Sequence, residues 1–257
     1  MITLKSDREI ELIRKNGRIV ANTLALMRRH AAPGVTTKEL DGIAEDYIRG
    51  EGAVPSFLGY GEPPYPAAIC TSVNEAVVHG VPDGRALQEG DIVGIDVGAS
   101  SGGFHGDGAA TLPIGRIDDE TGRLLAATQA ALAAGIAKAL PGGRLGDVSA
   151  AIQGAAEDAG FSVVRALVGH GIGREMHEAP QIPNYGRAGR GVRLKTGMVL
   201  ALEPMINIGT YEVELLDDEW TIVTADRTLS AHFEHTVAIT EDGPVILTVA
   251  DPEFLDQ

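Results

Sequence analysis

An α/β fold of the α+β kind is what this sequence predicts: two helix–helix–strand–hairpin halves related by a pseudo-twofold around an antiparallel-rich curved sheet. Three observations lead there. A Gly-rich hairpin spans Gly90 to Asp107, two helices with their own start signals precede it, and the same landmarks return in the second half of the chain. The 257 residues read as one domain with an internal duplication, about 1–115 and 116–250.

Ser6 and Glu9 have capping-box spacing and open a helix through about Arg29, with Ile10, Ile13, Val20, Leu24 and Met27 on one face. Pro33-Gly34 breaks it. Thr36 and Glu39 form a second capping box, and that helix carries Leu40, Ile43 and Tyr47 toward Gly52. Pro55 to Pro66 is Pro-, Gly- and Tyr-rich, hence loop. An apolar strand from Ile69 to His79, a turn at Pro82-Asp83-Gly84 and the hairpin follow.

The order then repeats. Asp119 to Leu140 is an Ala-rich helix, Pro141-Gly142 breaks it, and a helix with Val148 and Ile152 runs to Gly160. An apolar strand from Phe161 leads to His170-Gly171, and Leu194 to Glu203 is a further strand-like stretch. Pro33-Gly34 and Gly52 reappear 108 residues later as Pro141-Gly142 and Gly160, and Leu87, Gly90 and Asp96 reappear 107 residues later as Leu194, Gly197 and Glu203. His79-Gly80 and His170-Gly171 stand before those segments in each half.

The hairpin poses an electrostatic problem. With Ser101-Gly102 as its two-residue turn, Asp96 falls directly opposite Asp107, Cβ atoms about 5 Å apart. No Lys or Arg lies between Arg85 and Arg116. The repulsion is relieved by a shared proton, by a cation from elsewhere, by a metal ion, or simply by solvation. The duplication bears on the choice. Packed about a pseudo-twofold, the halves set Asp96 against Glu203 and His79 against His170, and Glu234, in Ala-His-Phe-Glu-His-Thr, supplies the counterpart of Asp107. Four carboxylates and a histidine between the halves cannot stay unpaired, and two divalent cations would neutralise them. Oxygen-rich sites with one imidazole suit Mn²⁺, Fe²⁺ or Co²⁺, with Zn²⁺ also accommodated.

Composition sets outer limits. A formal charge of −15, with no basic block, argues against nucleic-acid or anionic-membrane partners. The single cysteine, Cys70, excludes an internal disulfide and a Cys-based zinc site. The amino terminus lacks the apolar core of a signal peptide, and Leu124 to Ala137 is too short to span a bilayer, so a cytoplasmic protein is expected. Each site candidate also has a plain alternative. His79 and His170 are eligible as core histidines, and Glu203 and Glu234 as exposed acids. Asp91, Asp118, Asp119 and the Asp217-Asp218-Glu219 run read as solvated, and His105 as exposed near the turn.

The motifs Asn-Glu-Ala-Val-Val-His79-Gly, Gly-Asp-Ile-Val-Gly-Ile-Asp96, Phe-His-Gly-Asp107, Gly-His170-Gly-Ile-Gly-Arg-Glu-Met-His177-Glu, Leu-Glu203-Pro-Met and Phe-Glu234-His-Thr together resemble type I methionine aminopeptidases, from the first helix to Ile246. The resemblance implies the pita-bread fold and a hydrolase, a metal-dependent aminopeptidase that excises N-terminal methionine by attack of a hydroxide activated between two metals. It implies Asp96, Asp107, His170, Glu203 and Glu234 as ligands, with Asp107 and Glu234 bridging. Glu203 would relay the proton, His79 and His177 would contact substrate, and Tyr60, Tyr65, Cys70, Met176 and Trp220 would form the methionine pocket. It implies nascent chains beginning with Met as substrates, transient ribosome contact, no DNA, no membrane and a monomer. Met176 stands where relatives often carry Phe, Phe57 where a small residue is common, and Gly61-Glu-Pro-Pro64 lengthens the loop after Tyr60; Gly108 and Ala109 replace polar residues. A proline-specific aminopeptidase of the same fold or a non-catalytic binding protein are the alternatives. The first resembles longer chains with an added amino-terminal domain, and the second typically loses ligands that are all present here. The interval from His177 to Glu203 leaves no room for the inserted helical domain of type II enzymes.

Overall fold

The computed structural model describes residues 2–255. The first half runs α1 (Asp7–His30), α2 (Thr37–Gly50), β1 (Val54–Pro55), β2 (Ile69–Val73), β3 (Ala76–Val78), β4 (Ile92–Ser101) and β5 (Phe104–Pro113). The second runs α3 (Asp119–Lys138), α4 (Leu145–Asp158), β6 (Ser162–Val163), β7 (Val168–Gly171), β8 (Glu178–Pro183), β9 (Val199–Leu202), β10 (Met205–Asn207), β11 (Val213–Leu215), β12 (Ile222–Thr224), β13 (Ser230–His232), β14 (His235–Thr240), β15 (Gly243–Ile246) and α5 (Pro252–Leu255). Both capping boxes form: Glu9 accepts from the Ser6 backbone N–H at 3.0 Å and Glu39 from that of Thr36 at 2.7 Å. Among the described residues no helix is long and apolar enough to cross a membrane.

Two antiparallel sheets form the centre. In one, β4 pairs with β5 along one edge and with β1 and β2 along the other. The other has the order β15-β14-β9-β7-β8. Val20, Met27, Leu40 and Ile48 of α1 and α2 pack on Val93, Ile95 and Val97, and Leu124, Ala131, Val148 and Ile152 of α3 and α4 pack on Leu200, Leu202 and Val237. Each sheet therefore has one face sealed by a helix pair.

Three expectations are corrected. The hairpin turn is Gly102-Gly103, both at positive φ (64° and 77°), and Ser101 pairs with Phe104. A two-residue turn of the twist-compatible type needs positive φ at both central positions, which Gly-Gly adopts without the Cβ penalty Ser101 would carry. Asp107 thus faces Gly98, and Asp96 faces Ala109. The shift is two residues, an even number, so both carboxylates keep the same face as diagonal neighbours. Second, His79 and His170 are not equivalent: His170 lies within β7 opposite Ala201, whereas His79 follows β3, which pairs with β12. The two strands before them are also interrupted, at Asn74-Glu75 and between β6 and β7. Third, the partners β9 and β14 are not joined by a tight hairpin; β10 to β13 intervene. Asp91 and His105 are also less exposed than expected. Asp91 is 8% exposed, accepts from Asn74 Nδ2 at 2.8 Å and pairs with Arg85 at 3.2 Å, and His105 Nδ1 hydrogen bonds Ser56 Oγ at 2.9 Å.

The hairpin is pinned from outside and inside. Buried Asn16 of α1 donates to Ser101 O (3.1 Å) and Phe104 O (2.9 Å), and a Cβ on Gly106 would lie 2.5 Å from the Gly17 nitrogen. Only glycine at 106 lets α1 approach β5 this closely. On the inner side two threonines make reciprocal clasps between the halves. Thr111 Oγ1 accepts from His232 N and donates to His232 O, both at 2.9 Å; Thr236 Oγ1 accepts from Asp107 N at 3.1 Å and donates to Asp107 O at 2.7 Å. Glu234 N donates to Ala109 O at 2.9 Å between them.

Thr236→Val is therefore expected to cost about 2 kcal/mol or more in urea unfolding, because both backbone groups of buried Asp107 lose a partner. Thr23→Val is the matched control, since Thr23 Oγ1 only adds to an Ile19 carbonyl already inside α1; it should cost about 1 kcal/mol or less. Equal losses would contradict the clasp.

Candidate metal centre

The clasps carry the site residues with them. Asp96 on β4, Asp107 on β5, His170 on β7, Glu203 just past β9 and Glu234 just before β14 line one cavity of about 100 Å³, together with Phe57, Tyr60, Tyr65, Cys70, His79, His177 and Trp220. That is room for a single side chain, not for a large ligand. A larger groove, lined by Arg8, Arg14, Lys15 and Arg18 of α1, opens on the outer surface away from the carboxylates. Of the residues expected in the site only Met176 is set back: 2% exposed, it packs with Phe57, Phe104 and Ile172, and its Cε would be 3.1 Å from a Cβ on Gly98.

The electrostatics are severe. Asp107, His170 and Glu234 are buried and offer ligand atoms within 4.8 Å of one another. Asp96 Oδ1, Asp107 Oδ1 and Glu234 Oε1 are buried without a hydrogen-bond partner. Burial, then Asp107 and Glu203, push the Asp96 carboxyl well above its ordinary range; burial, then Asp107, Glu203 and Asp96, do the same to Glu234. His170 Nε2 lies 3.6 Å from Asp107 and 3.4 Å from Glu203. Burial pulls its ring down, but the Asp107 hydrogen bond and the charges of Glu203 and Asp107 together outweigh that and push it up to about 9. Buried carboxylate oxygens without donors, beside one imidazole, are the donor set of a divalent cation. The residues fit one.

The flanking groups differ in kind. Partial burial and the nearby His170 hold the His177 ring down to about 4. Burial also lowers His79, whose backbone takes φ +59°, a strained value for a non-glycine residue beside a site. Tyr65 donates to Gly80 O at 2.9 Å and stacks edge-on against Trp220 at 5.1 Å between ring centroids. Cys70 sits opposite Asp96 across β2 and β4, and burial followed by that carboxylate raises its thiol.

His232 escaped the sequence reading. It is 3% exposed, and its Nε2, without a partner, lies 3.6 Å from Glu203 Oε2. A signal existed: it stands two residues before Glu234, a spacing that puts both on one face of extended chain. His235, the other neighbour, turns away to Thr248 Oγ1 at 2.8 Å.

The raised groups make a prediction about pH. A group whose value rises on folding stabilises the fold below its unfolded value, and that stabilisation is lost as pH climbs through the folded value. Asp96, Glu234 and His170 all act with this sign. Chelator-treated protein is expected to lose thermal stability from the ordinary histidine value, about 6.5, up to about 9. Protein saturated with Mn²⁺ should hold its stability across that window. Parallel pH slopes of the two forms in scanning calorimetry would contradict the charge assignment.

Comparison with known proteins agrees with the geometry. Residues 11–241 match the model of metallopeptidase family M24. The methionine aminopeptidase of Clostridium acetobutylicum is 51% identical over 252 residues, 98% of this chain and 100% of the relative. Methionine aminopeptidase 1 of Bacillus subtilis is 52% identical over 248 residues, 96% of this chain and 99% of the relative. Among solved structures, methionine aminopeptidase from Rickettsia prowazekii matches with a TM-score of 0.95 at 42% identity, covering 97% of this chain and 100% of that one. Prolidase from Pyrococcus furiosus shares the fold, with a TM-score of 0.77 at 23% identity over 96% of this chain and 66% of its own. The two-sheet arrangement is accordingly the pita-bread α/β fold. By its buried carboxylate–histidine cluster and a match over most of its length, the chain belongs to metallopeptidase family M24, and within it is similar to the bacterial methionine aminopeptidases.

Proposed function

We propose that this chain is a methionyl aminopeptidase that removes the initiator methionine from nascent polypeptides. The observation that carries the reading is the meeting of Asp96, Asp107, His170, Glu203 and Glu234 in one cavity with room for a single side chain, lined also by Tyr65, Cys70 and Trp220. Relatives named as methionine aminopeptidases at about half identity over nearly the whole chain support it. The proline-specific alternative rests on structures about half as similar, such as the prolidase at 23% identity.

In this reading two divalent cations (Mn²⁺, Co²⁺, Fe²⁺ or Zn²⁺) would balance the carboxylates, polarise the scissile carbonyl and acidify a water when bound. Asp107, Glu234, Asp96, His170 and Glu203 would be the residues that hold them. Glu203 accepts the proton from the attacking water and passes it to the leaving amine. Asn184 donates to its backbone carbonyl at 3.0 Å and fixes the chain at that point. His177 donates to the developing oxyanion, and His79, at the end of its strained turn, steadies the scissile amide. Tyr65, Cys70, Trp220 and Phe57 exclude water around the methionine side chain, with Met176 packed behind Phe57. Nascent chains as substrates place the protein in the cytoplasm near the ribosome. The reciprocal Thr111 and Thr236 clasps support an ancestral duplication of about 1–115 and 116–250.

The test is direct. Protein reconstituted with Mn²⁺ or Co²⁺ is offered Met-Ala-Ser and Gly-Pro-Ala peptides. Free methionine should appear from the first and no free glycine from the second. Glycine release from the proline peptide without methionine release would overturn the reading.

A further inference from the structure

We propose that Tyr60 is a positioning residue: its hydroxyl fixes the tautomer of His177 so that the ring presents Nε2–H, a donor, to the cavity. The inference rests on the reading of His177 as the group that meets the substrate carbonyl, and it gives Tyr60 a task other than walling the methionine pocket.

The Tyr60 hydroxyl lies 2.6 Å from His177 Nδ1, and the ring centroids are 5.2 Å apart. The His177 ring also packs on His170, with centroids 4.3 Å apart. A neutral imidazole carries one N–H, and the bond made at one nitrogen decides which nitrogen bears it. A phenol O–H is a stronger donor than an imidazole N–H, and a phenol oxygen is a poor acceptor because its lone pair is shared with the ring. The favoured direction is therefore O–H to Nδ1, which leaves the proton on Nε2. Without the hydroxyl the Nδ1–H form becomes available, and it would turn a bare lone pair toward an oxyanion.

Tyr60 is 40% exposed, so its aim has to come from its loop. Three backbone bonds close the loop: Gly59 N to Tyr65 O at 2.8 Å, Tyr60 N to Phe57 O at 2.9 Å and Tyr65 N to Tyr60 O at 2.8 Å. The Trp220 indole covers Gly61, at φ +76°, so closely that a Cβ there would come within 2.5 Å of Cη2. The loop is thus pressed against the pocket wall at Gly61, and the residue before it reaches His177.

Two measurements test this. In chelator-treated protein the ring nitrogens are observed by ¹⁵N NMR, with the His177 signals assigned from their absence in His177→Asn. Wild type should show protonated Nε2 and bare Nδ1, and Tyr60→Phe should move the ring toward a mixture of the two forms. In Mn²⁺-loaded enzyme, Tyr60→Phe keeps the aromatic wall and should lower kcat on Met-Ala-Ser by roughly 10–100-fold, the usual effect of losing a group that orients a working histidine. KM should stay within about twofold and metal stoichiometry unchanged, as the packing surface is retained. Protonated Nδ1 in wild type, or full kcat in Tyr60→Phe, overturns the proposal. If wild type releases no methionine, the functional reading fails, and the ring-nitrogen spectrum alone then decides the tautomer assignment.

Discussion

Four carboxylates brought together around one small cavity are the constraint to which the rest of the molecule answers. Asp96, Asp107 and Glu234 each bury an oxygen with no hydrogen-bond donor, and each raises the free energy of its charged neighbours. A fold does not gather such groups for its own stability, since each buried charge without a partner is costly. The surroundings hold them in place. Asn16 and the Gly17–Gly106 contact fix the hairpin from the outside, and the hydroxyls of Thr111 and Thr236 stitch β5 to the chain around Glu234 from the inside. The cluster is prearranged for cations, and its geometry comes from backbone pairing that does not depend on them.

Much of this was legible in the sequence, and the reasons for success and failure are physical. Capping boxes are local, so Ser6–Glu9 and Thr36–Glu39 could be read without knowing the fold. The hairpin carboxylates were readable because side-chain direction depends only on odd or even spacing. A turn at Ser101-Gly102 differs by two residues of register from the observed Gly102-Gly103, yet either register leaves Asp96 and Asp107 on one face. The pairing of His79 with His170 failed because strand order, not spacing, decides equivalence: β3 joins β12 in a separate small sheet, while β7 lies between β8 and β9. The long path from β9 to β14 was hidden for a similar reason, since β10 to β13 are only three residues each and carry too few residues to show a period. His232 is hard to read from sequence because its neighbour Glu203 is distant in the chain and contact between them arises only when β13 pairs with β10.

The pocket and the metal cluster are coupled through short paths. Trp220 touches Tyr65 and lies over Gly61, Gly61 follows Tyr60, and Tyr60 bonds His177, which packs on the proposed ligand His170. Cys70 is paired across the sheet with Asp96. Residues expected to recognise a side chain and residues expected to do chemistry therefore form one packed layer. A change of wall shape at Trp220 or Gly61 would reach His177 through these contacts.

On the proposed reading this layer would hold two cations, with Asp107 and Glu234 within reach of both. Anomalous diffraction from crystals grown with Mn²⁺ tests it most directly. Two peaks are expected in the cavity, each in contact with Asp107 and Glu234, one also reaching His170 and Glu203 and the other Asp96. A single peak, or peaks that leave either Asp107 or Glu234 uncoordinated, would contradict it.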